Sequence, residues 1–73
     1  MDPITTKVAA NVRAEMGRAG VSQAELASVL GLSQAAVSKR LRGSTRWRVD
    51  ELAATASHLG VPLAVLLPSE VAA

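Results

Sequence analysis

The sequence predicts an all-α domain of five short helices, and both composition and spacing support that class. The chain has 73 residues, enough for one domain that buries roughly 60% of the surface of its unfolded chain. Hydrophobic residues make up 49% of it, but Trp47 is the only aromatic residue, so Ala, Leu and Val must form the core. These residues recur at helical spacing between glycines and prolines, which favours helices packed on one another over a sheet.

The first helix is predicted to begin at Asp2-Pro3, an N-cap followed by proline at the first helical position. Gly20 ends this helix. Apolar residues at intervals of three or four form its predicted buried face: Val8, Val12, Met16 and Ala19.

The second and third helices are each introduced by a serine. Ser22 begins the second helix as part of an S-x-x-E capping box with Glu25, and Gly31 ends it. Its predicted buried residues are Leu26, Ala27 and Leu30. Ser33 caps the third helix, which is predicted to run to about Arg42.

The fourth and fifth helices follow a loop over residues 44–48. The fourth is predicted from apolar residues at helical spacing: Val49, Leu52, Ala53, Ala56 and Leu59. Gly60 ends it. Pro62 then opens a short fifth helix that contains Leu63 and Leu66, and Pro68 breaks it.

A helix-turn-helix is predicted from four residues at fixed offsets. Two helices that cross steeply need a small residue at the crossing, supplied by Ala27, and a turn that tolerates positive φ, supplied by Gly31. Val37 supplies the branched apolar residue that packs the second of these helices against the first. Gln23 precedes them at the start of the motif. Each residue alone would be weak evidence, but the four at these offsets, with the two serine caps and the basic residues that follow, strongly indicate a helix-turn-helix.

The net charge of +2 is unevenly distributed along the chain. Residues 1–32 are neutral overall, and residues 49–73 carry −3. Residues 33–48 contain no acid and carry +5, from Lys39, Arg40, Arg42, Arg46 and Arg48. A cluster of positive charges without acids at the predicted third helix and its loop indicates a polyanionic partner. A basic surface that is simply solvated is the alternative.

Several segments resemble the lambda-repressor-like, or Cro/C1-type, helix-turn-helix family. They are Val21-Ser-Gln-Ala-Glu-Leu-Ala27, Leu30-Gly-Leu-Ser-Gln34, Val37-Ser-Lys39, Gly43, and Leu52-Ala53 with Leu59-Gly-Val-Pro62. The resemblance covers about residues 8–67. It implies a five-helix, sequence-specific DNA-binding domain that acts as a dimer in phage and bacterial regulators. We therefore expect one domain over residues 1–68, with its motif at about 22–42, and a short flexible tail over 69–73.

The outward face of the third helix is the predicted base-reading surface. Val37 and Leu41 lie within about 40° of each other and must face the core. The opposite arc holds Gln34, Ala35, Ser38 and Lys39, whose amide, methyl, hydroxyl and ammonium groups can read base edges in the major groove. The family uses the positions of Gln34, Ala35 and Lys39 for this purpose.

Phosphate contacts are predicted around this face. The family braces a phosphate at the position of Gln23, and a helix N-terminus favours an anion. The loop after the third helix adds hydroxyls and guanidinium groups. The predicted phosphate-binding residues are Ser22, Gln23, Ser33, Arg42, Ser44, Thr45, Arg46 and Arg48.

Some residues depart from the family pattern or have two interpretations. Relatives pair an Arg on the first helix with a Glu late in the third, and Met16 and Leu41 stand there instead, so we infer an apolar contact. Arg40 replaces an apolar residue, and we expect its stem to pack while its head reaches solvent or a phosphate. Trp47 is predicted to cover the junction of the third and fourth helices, with a DNA-backbone contact as the alternative.

The sequence contains nothing that favours catalysis, a metal or a cofactor. It has no Cys, and His58 is its only histidine. No Ser/His/acid set has a cleft in which to act, so we expect no enzymatic activity and no small-molecule ligand. The lack of Cys and of a long apolar run favours an intracellular protein without a membrane segment. With the DNA binding that the resemblance implies, we expect a cytoplasmic, nucleoid-associated protein.

The predicted function is transcriptional regulation, as a phage-type Cro or immunity repressor on operator DNA. Val65 and Leu67 are a possible homodimer contact, and two further core residues are the alternative interpretation. A dimer would bind a pseudo-palindromic site. Two other functions stay open: an antitoxin-type autoregulator, for which the tail looks short, and a protein-interaction module that does not bind DNA.

Overall fold

Residues 2–69 are described by the computed structural model, and they form four α-helices and one 3-10 turn. The helices are α1 (Pro3–Ala19), α2 (Gln23–Leu30), α3 (Gln34–Leu41) and α4 (Val49–Leu59), and the 3-10 turn is Leu63–Leu66. No strand occurs within the described range. The all-α class is therefore confirmed. Apart from Ser69, the predicted tail over residues 69–73 lies outside the described residues.

The three predicted N-caps form as expected. Asp2 Oδ1 accepts a hydrogen bond from the Thr5 backbone N–H at 2.9 Å, and Pro3 occupies the first turn of α1. Ser22 and Ser33 each accept one from the backbone N–H three residues later, at 3.0 and 3.1 Å. Each bond satisfies one of the four amides that a helix start leaves without an intrahelical partner.

The predicted capping box at Ser22 is only half formed. The Glu25 carboxylate does not return to the Ser22 backbone N–H; its Oε2 lies 2.6 Å from Nε2 of His58 on α4. A contact between α2 and α4, 33 residues apart in the chain, has replaced the local one. The pair thereby ties the start of the motif to the end of α4.

The predicted fifth helix is not confirmed as an α-helix: Leu63–Leu66, the segment after α4, forms a 3-10 turn. Hydrogen bonds of the i→i+3 type run from Val65 N–H to the Pro62 carbonyl at 3.0 Å and from Leu67 N–H to the Ala64 carbonyl at 3.2 Å. Pro68 forces the preceding Leu67 into an extended conformation, with φ −91° and ψ 146°, so too few residues remain for an α-helix. The turn still closes the core, because Leu66 is fully buried.

The core is assembled from all four helices and the 3-10 turn. Its buried members are Val8, Val12, Met16, Leu26, Ala27, Val37, Leu41, Leu52, Ala56 and Leu66. Three residues predicted to be buried are exposed: Ala19, Val49 and Ala53. Val49 is 75% exposed at the first position of α4, and Ala53 lies about 100° around the helix from Leu52.

Thr55 takes a core position on α4 that the apolar pattern assigned to other residues. It is fully buried, and its hydroxyl donates a hydrogen bond to the Glu51 carbonyl at 2.8 Å. A satisfied hydroxyl can be buried at little cost. The core therefore accommodates a polar residue that hydrophobic spacing alone does not reveal.

None of the helices within residues 2–69 has both the length and the apolar character needed to cross a bilayer.

Candidate DNA interface

The third helix has one buried side and one exposed side. Val37 is fully buried and Leu41 is 4% exposed, and both belong to the core. Gln34, Ala35 and Lys39 are exposed, as the sequence predicted. The helix therefore presents an amide, a methyl and an ammonium group on a short rigid element.

Ser38 differs from the other three predicted base-reading residues. Its side chain is half-buried, and its Oγ accepts a hydrogen bond from Nη1 of Arg42 at 3.2 Å. The hydroxyl proton remains available as a donor. Ser38 thus links the exposed face of α3 to the guanidinium group at its C-terminus.

The turn between α2 and α3 has the predicted geometry. Gly31 adopts the left-handed conformation, with φ 67° and ψ 31°, which a residue with a Cβ adopts only with strain. Leu32 then donates its backbone N–H to the Ala27 carbonyl at 3.0 Å. Ala27 itself is 5% exposed. The tight turn sets the angle at which α3 leaves α2.

Exposed polar residues lie at the starts of α2 and α3. Ser22, Gln23 and Ser33 are all exposed. Because the two serine hydroxyls accept hydrogen bonds from helix amides, each can still donate its own proton to an anion. The helix start at Gln23 adds the positive end of the α2 dipole.

The loop after α3 contains two arginines that are paired with acids. Arg46 Nε lies 3.4 Å from Asp2 Oδ2, and Arg48 Nε lies 3.1 Å from Asp50 Oδ1. Hydrogen bonds from Thr5, with a smaller one from Arg46, lower the pKa of Asp2. The hydrogen bond from Arg48 lowers the pKa of Asp50. Both arginine side chains remain about three-quarters exposed, at 76% and 74%.

The remaining loop and helix-end residues surround the exposed face of α3. Arg42 is the C-cap of α3 and is exposed, as is Ser44, while Thr45 is half-buried. Ser44 donates its backbone N–H to the Lys39 carbonyl at 2.9 Å. Among residues 2–69, no acidic side chain pairs with Lys39 or Arg42. These two cations are the unneutralised part of the +5 block.

The head group of Arg40 pairs with an acid of the protein and is mostly shielded, whereas the sequence led us to expect it in solvent or at a phosphate. Its Nε and Nη2 donate to the two carboxylate oxygens of Glu51, at 2.9 and 3.1 Å. Burial alone would raise the pKa of Glu51, but hydrogen bonds from Arg40 and from the Arg48 backbone N–H outweigh it and lower that pKa. This partner was not predicted from the sequence, although Glu51 is an acid in the first turn of α4.

Trp47 covers the junction of α3 and α4, as predicted. It is half-buried against the core, and its indole Nε1–H donates to the Arg40 carbonyl at 3.2 Å. The indole therefore closes the end of α3 rather than pointing outward.

The expected apolar replacement for the Arg–Glu pair of relatives agrees with the structure. Met16 and Leu41 are both buried in the core. A hydrogen bond between α1 and α3 was not predicted: Nη1 of Arg13 donates to the Leu41 carbonyl. This bond occupies one of the carbonyls that the end of α3 leaves unpaired.

The two residues of the possible dimer contact have different environments. Val65 is 42% exposed, whereas Leu67 is half-buried and packs against the core. Leu67 also lines an open groove of ≈ 440 Å³ together with Ile4 and Trp47.

A family profile described as helix-turn-helix matches residues 12–66, which is well over half of the chain. The chain belongs to the helix-turn-helix family. The resemblance to the lambda-repressor-like type is thereby confirmed. This family consists of DNA-binding transcription regulators and not of enzymes, which places the chain among the regulators by class.

Two solved structures are similar to this helix-turn-helix chain. The restriction-modification controller protein C.AhdI from Aeromonas hydrophila is 24% identical, with a TM-score of 0.78 over 86% of this chain and 96% of its own. At that identity the likeness supports the fold alone. The hypothetical transcription factor NHTF from Neisseria is 31% identical, with a TM-score of 0.77 over 92% of this chain and 76% of its own. A search among curated proteins finds no significant match.

Proposed function

We propose that this helix-turn-helix protein is a sequence-specific repressor of the Cro or immunity-repressor type, acting on operator DNA. The observation that carries the proposal is the division of α3 into a buried side, formed by Val37 and Leu41, and an exposed side that bears Gln34 and Lys39. A helix of this kind fits the major groove of duplex DNA. The protein would act in the cytoplasm, at the nucleoid.

Base reading is assigned to four residues on the exposed side of α3. The Gln34 amide can bind adenine N6 and N7 together, and Lys39 can bind guanine O6 and N7. The Ala35 methyl can contact the methyl group of thymine, and the Ser38 hydroxyl can donate to either type of base edge. Each well-formed bidentate contact contributes about 1–3 kcal/mol of discrimination.

Phosphate contacts are assigned to the groups around that side. Ser22, Gln23 and Ser33 supply hydroxyl, amide and helix-start donors, and the loop supplies Ser44, Thr45, Arg42, Arg46 and Arg48. Arg46 pairs with Asp2 and Arg48 pairs with Asp50. Because both ion pairs are exposed and therefore weak, a phosphate can displace the acid from either arginine. Affinity should fall with salt, with a log–log slope of about −0.9 per phosphate neutralised.

The protein would bind as a homodimer on a pseudo-palindromic operator. A dimer of this class places its two reading helices about 34 Å apart, one turn of DNA. Val65 offers an exposed apolar side chain for the contact, and the half-buried Leu67, which packs against the core, lies two residues further along the chain.

The test compares two substitutions that each remove one positive charge, Lys39→Gln within α3 and Arg42→Gln at its C-cap. Lys39→Gln should lower the ratio of affinities for the selected operator and for random duplex, because it deletes a base contact. Arg42→Gln should weaken both affinities equally and reduce the salt slope by about one per subunit, which is about two for the dimer. Fluorescence anisotropy with a site selected from random duplexes, measured at two salt concentrations, gives both quantities.

Two results would contradict the proposal. Wild-type protein that binds no duplex at low ionic strength would favour a protein-interaction module. A Lys39→Gln variant that keeps the full specificity ratio would remove α3 as the base-reading element.

A further inference from the structure

Arg40 makes three hydrogen bonds without leaving the body of the protein. Two of them form a parallel pair with the Glu51 carboxylate, at 2.9 and 3.1 Å. The third runs from Nη1 to the Ala36 carbonyl in the same helix, at 3.1 Å. The two charged side chains are only 14% and 10% exposed, so their arrangement is held by surrounding structure.

This pair also organises the loop that follows α3. Glu51 Oε1 accepts the backbone N–H of Arg48 at 3.0 Å, which fixes the residue just before α4. The Arg40 carbonyl accepts the indole N–H of Trp47 at 3.2 Å. One cluster therefore connects α3, both residues at the end of the loop and the first turn of α4.

We propose that Arg40 and Glu51 are positioning residues that hold the loop over residues 42–48 in register with the base-reading side of α3. This inference rests on the proposed DNA-binding function. The pair contacts no DNA itself. It fixes the distance between the phosphate-binding groups of the loop and the helix that reads bases.

The chemistry of the pair explains why it suits this role. Arginine presents a planar fork that matches a carboxylate through two bonds, whereas lysine offers only a point charge. Removing one partner leaves a shielded charge without compensation, and the remaining side chain must move toward water. Because Glu51 also holds the Arg48 backbone, that movement would displace the loop.

The decisive experiment uses two neighbouring carboxylates of equal charge, of which Asp50 is exposed and Glu51 is mostly buried. Asp50→Asn and Glu51→Gln each remove one negative charge from the first turn of α4. If charge alone matters, both variants bind operator DNA more tightly than wild type, as a more positive protein should. If Glu51 positions the loop, the two variants change affinity in opposite directions.

We expect Asp50→Asn to bind more tightly and Glu51→Gln to bind about tenfold more weakly, the effect of losing a hydrogen bond to a charged group. Affinity is measured by fluorescence anisotropy at a temperature at which circular dichroism shows every variant folded. The NMR resonance of the Trp47 indole N–H should shift in Glu51→Gln and stay in place in Asp50→Asn.

A second variant covers the case in which Glu51→Gln does not fold. Arg40→Lys keeps the charge but loses the two-bond geometry, and we expect it to bind operator several-fold more weakly, with the same shift of the indole resonance. Tighter binding by Glu51→Gln, or wild-type affinity in Arg40→Lys, would overturn the positioning role. Wild-type protein that binds no duplex would refute the proposed function, and the positioning role with it.

Discussion

The turn of the helix-turn-helix is tested by exchanging two glycines for alanine. Gly31 sits in the turn at φ +67°, and Gly17 lies within α1. A Cβ added at either position would meet no heavy atom within 4 Å, so neither substitution creates a clash. The two variants therefore differ in backbone conformation and in little else.

The expected magnitudes follow from that difference. Alanine restricts the unfolded chain in both variants and raises the free energy of unfolding by about 0.4–1 kcal/mol in each. At Gly31 this gain is opposed by the left-handed conformation, which costs a residue with a Cβ roughly 1–2 kcal/mol. Gly17→Ala should thus be more stable than wild type and Gly31→Ala less stable, with a gap of about 1–2 kcal/mol between them.

Urea denaturation followed by Trp47 fluorescence and by circular dichroism measures both free energies of unfolding. In thermal melts a gap of 1 kcal/mol corresponds to about 4–8 °C for a domain of this size. Equal stabilities for Gly31→Ala and Gly17→Ala would refute the assigned turn conformation, because no other interaction separates the two sites.

Three further results are expected. Asp2→Asn retains a capping side chain but releases Arg46, so it should bind random duplex more tightly at low salt than the matched α1 variant Glu15→Gln; equal affinities would show that the pairing is irrelevant. Glu51 has a lowered pKa in the fold, so its stabilisation is complete above its ordinary value of about 4.5 and is lost as pH falls through the folded pKa. The difference in free energy of unfolding between wild type and Glu51→Gln should therefore shrink from pH 6 to pH 3.5. Val65→Asp should weaken the proposed dimer in sedimentation experiments, while Val29→Asp, at similar exposure, should not; unchanged association of Val65→Asp would exclude that contact.

Local signals in the sequence were sufficient to predict the helix-turn-helix itself. Serine caps and a glycine at a left-handed position act within three or four residues, so Ser22, Ser33 and Gly31 could be assigned without tertiary information. The buried pair on α3 follows equally from helical spacing. The exposed side of α3 is then determined, because a short helix with one buried face leaves the opposite face to solvent.

Interactions between distant segments were not predictable in this way. In the sequence, the five cations of residues 33–48 form one basic block. In the fold, Arg46 pairs with Asp2, which lies 44 residues away in the chain. Arg40 is likewise neutralised by Glu51. Within residues 2–69, Lys39 and Arg42 are therefore the cations of this block that do not pair with an acid.

The remaining errors also have tertiary or steric causes. Glu25 leaves its predicted local partner for His58 because folding brings α4 beside α2. The segment between Pro62 and Pro68 satisfies helical spacing but is too short to sustain i→i+4 bonds, so it forms a 3-10 turn. The apolar spacing of α4 predicted that Val49 is buried. It is exposed, because the residues of α4 that pack into the core, such as Leu52, come after this first position.

The most direct test of the central claim compares the operator sequences selected by wild type and by Gln34→Ala from the same pool of random duplexes. Gln34 is exposed and is not needed for the core, so the variant should fold normally. We expect Gln34→Ala to lose base preference at one position of each half-site, where adenine is favoured, and to retain it elsewhere. Identical preferences at every position would show that this side of α3 does not face the bases.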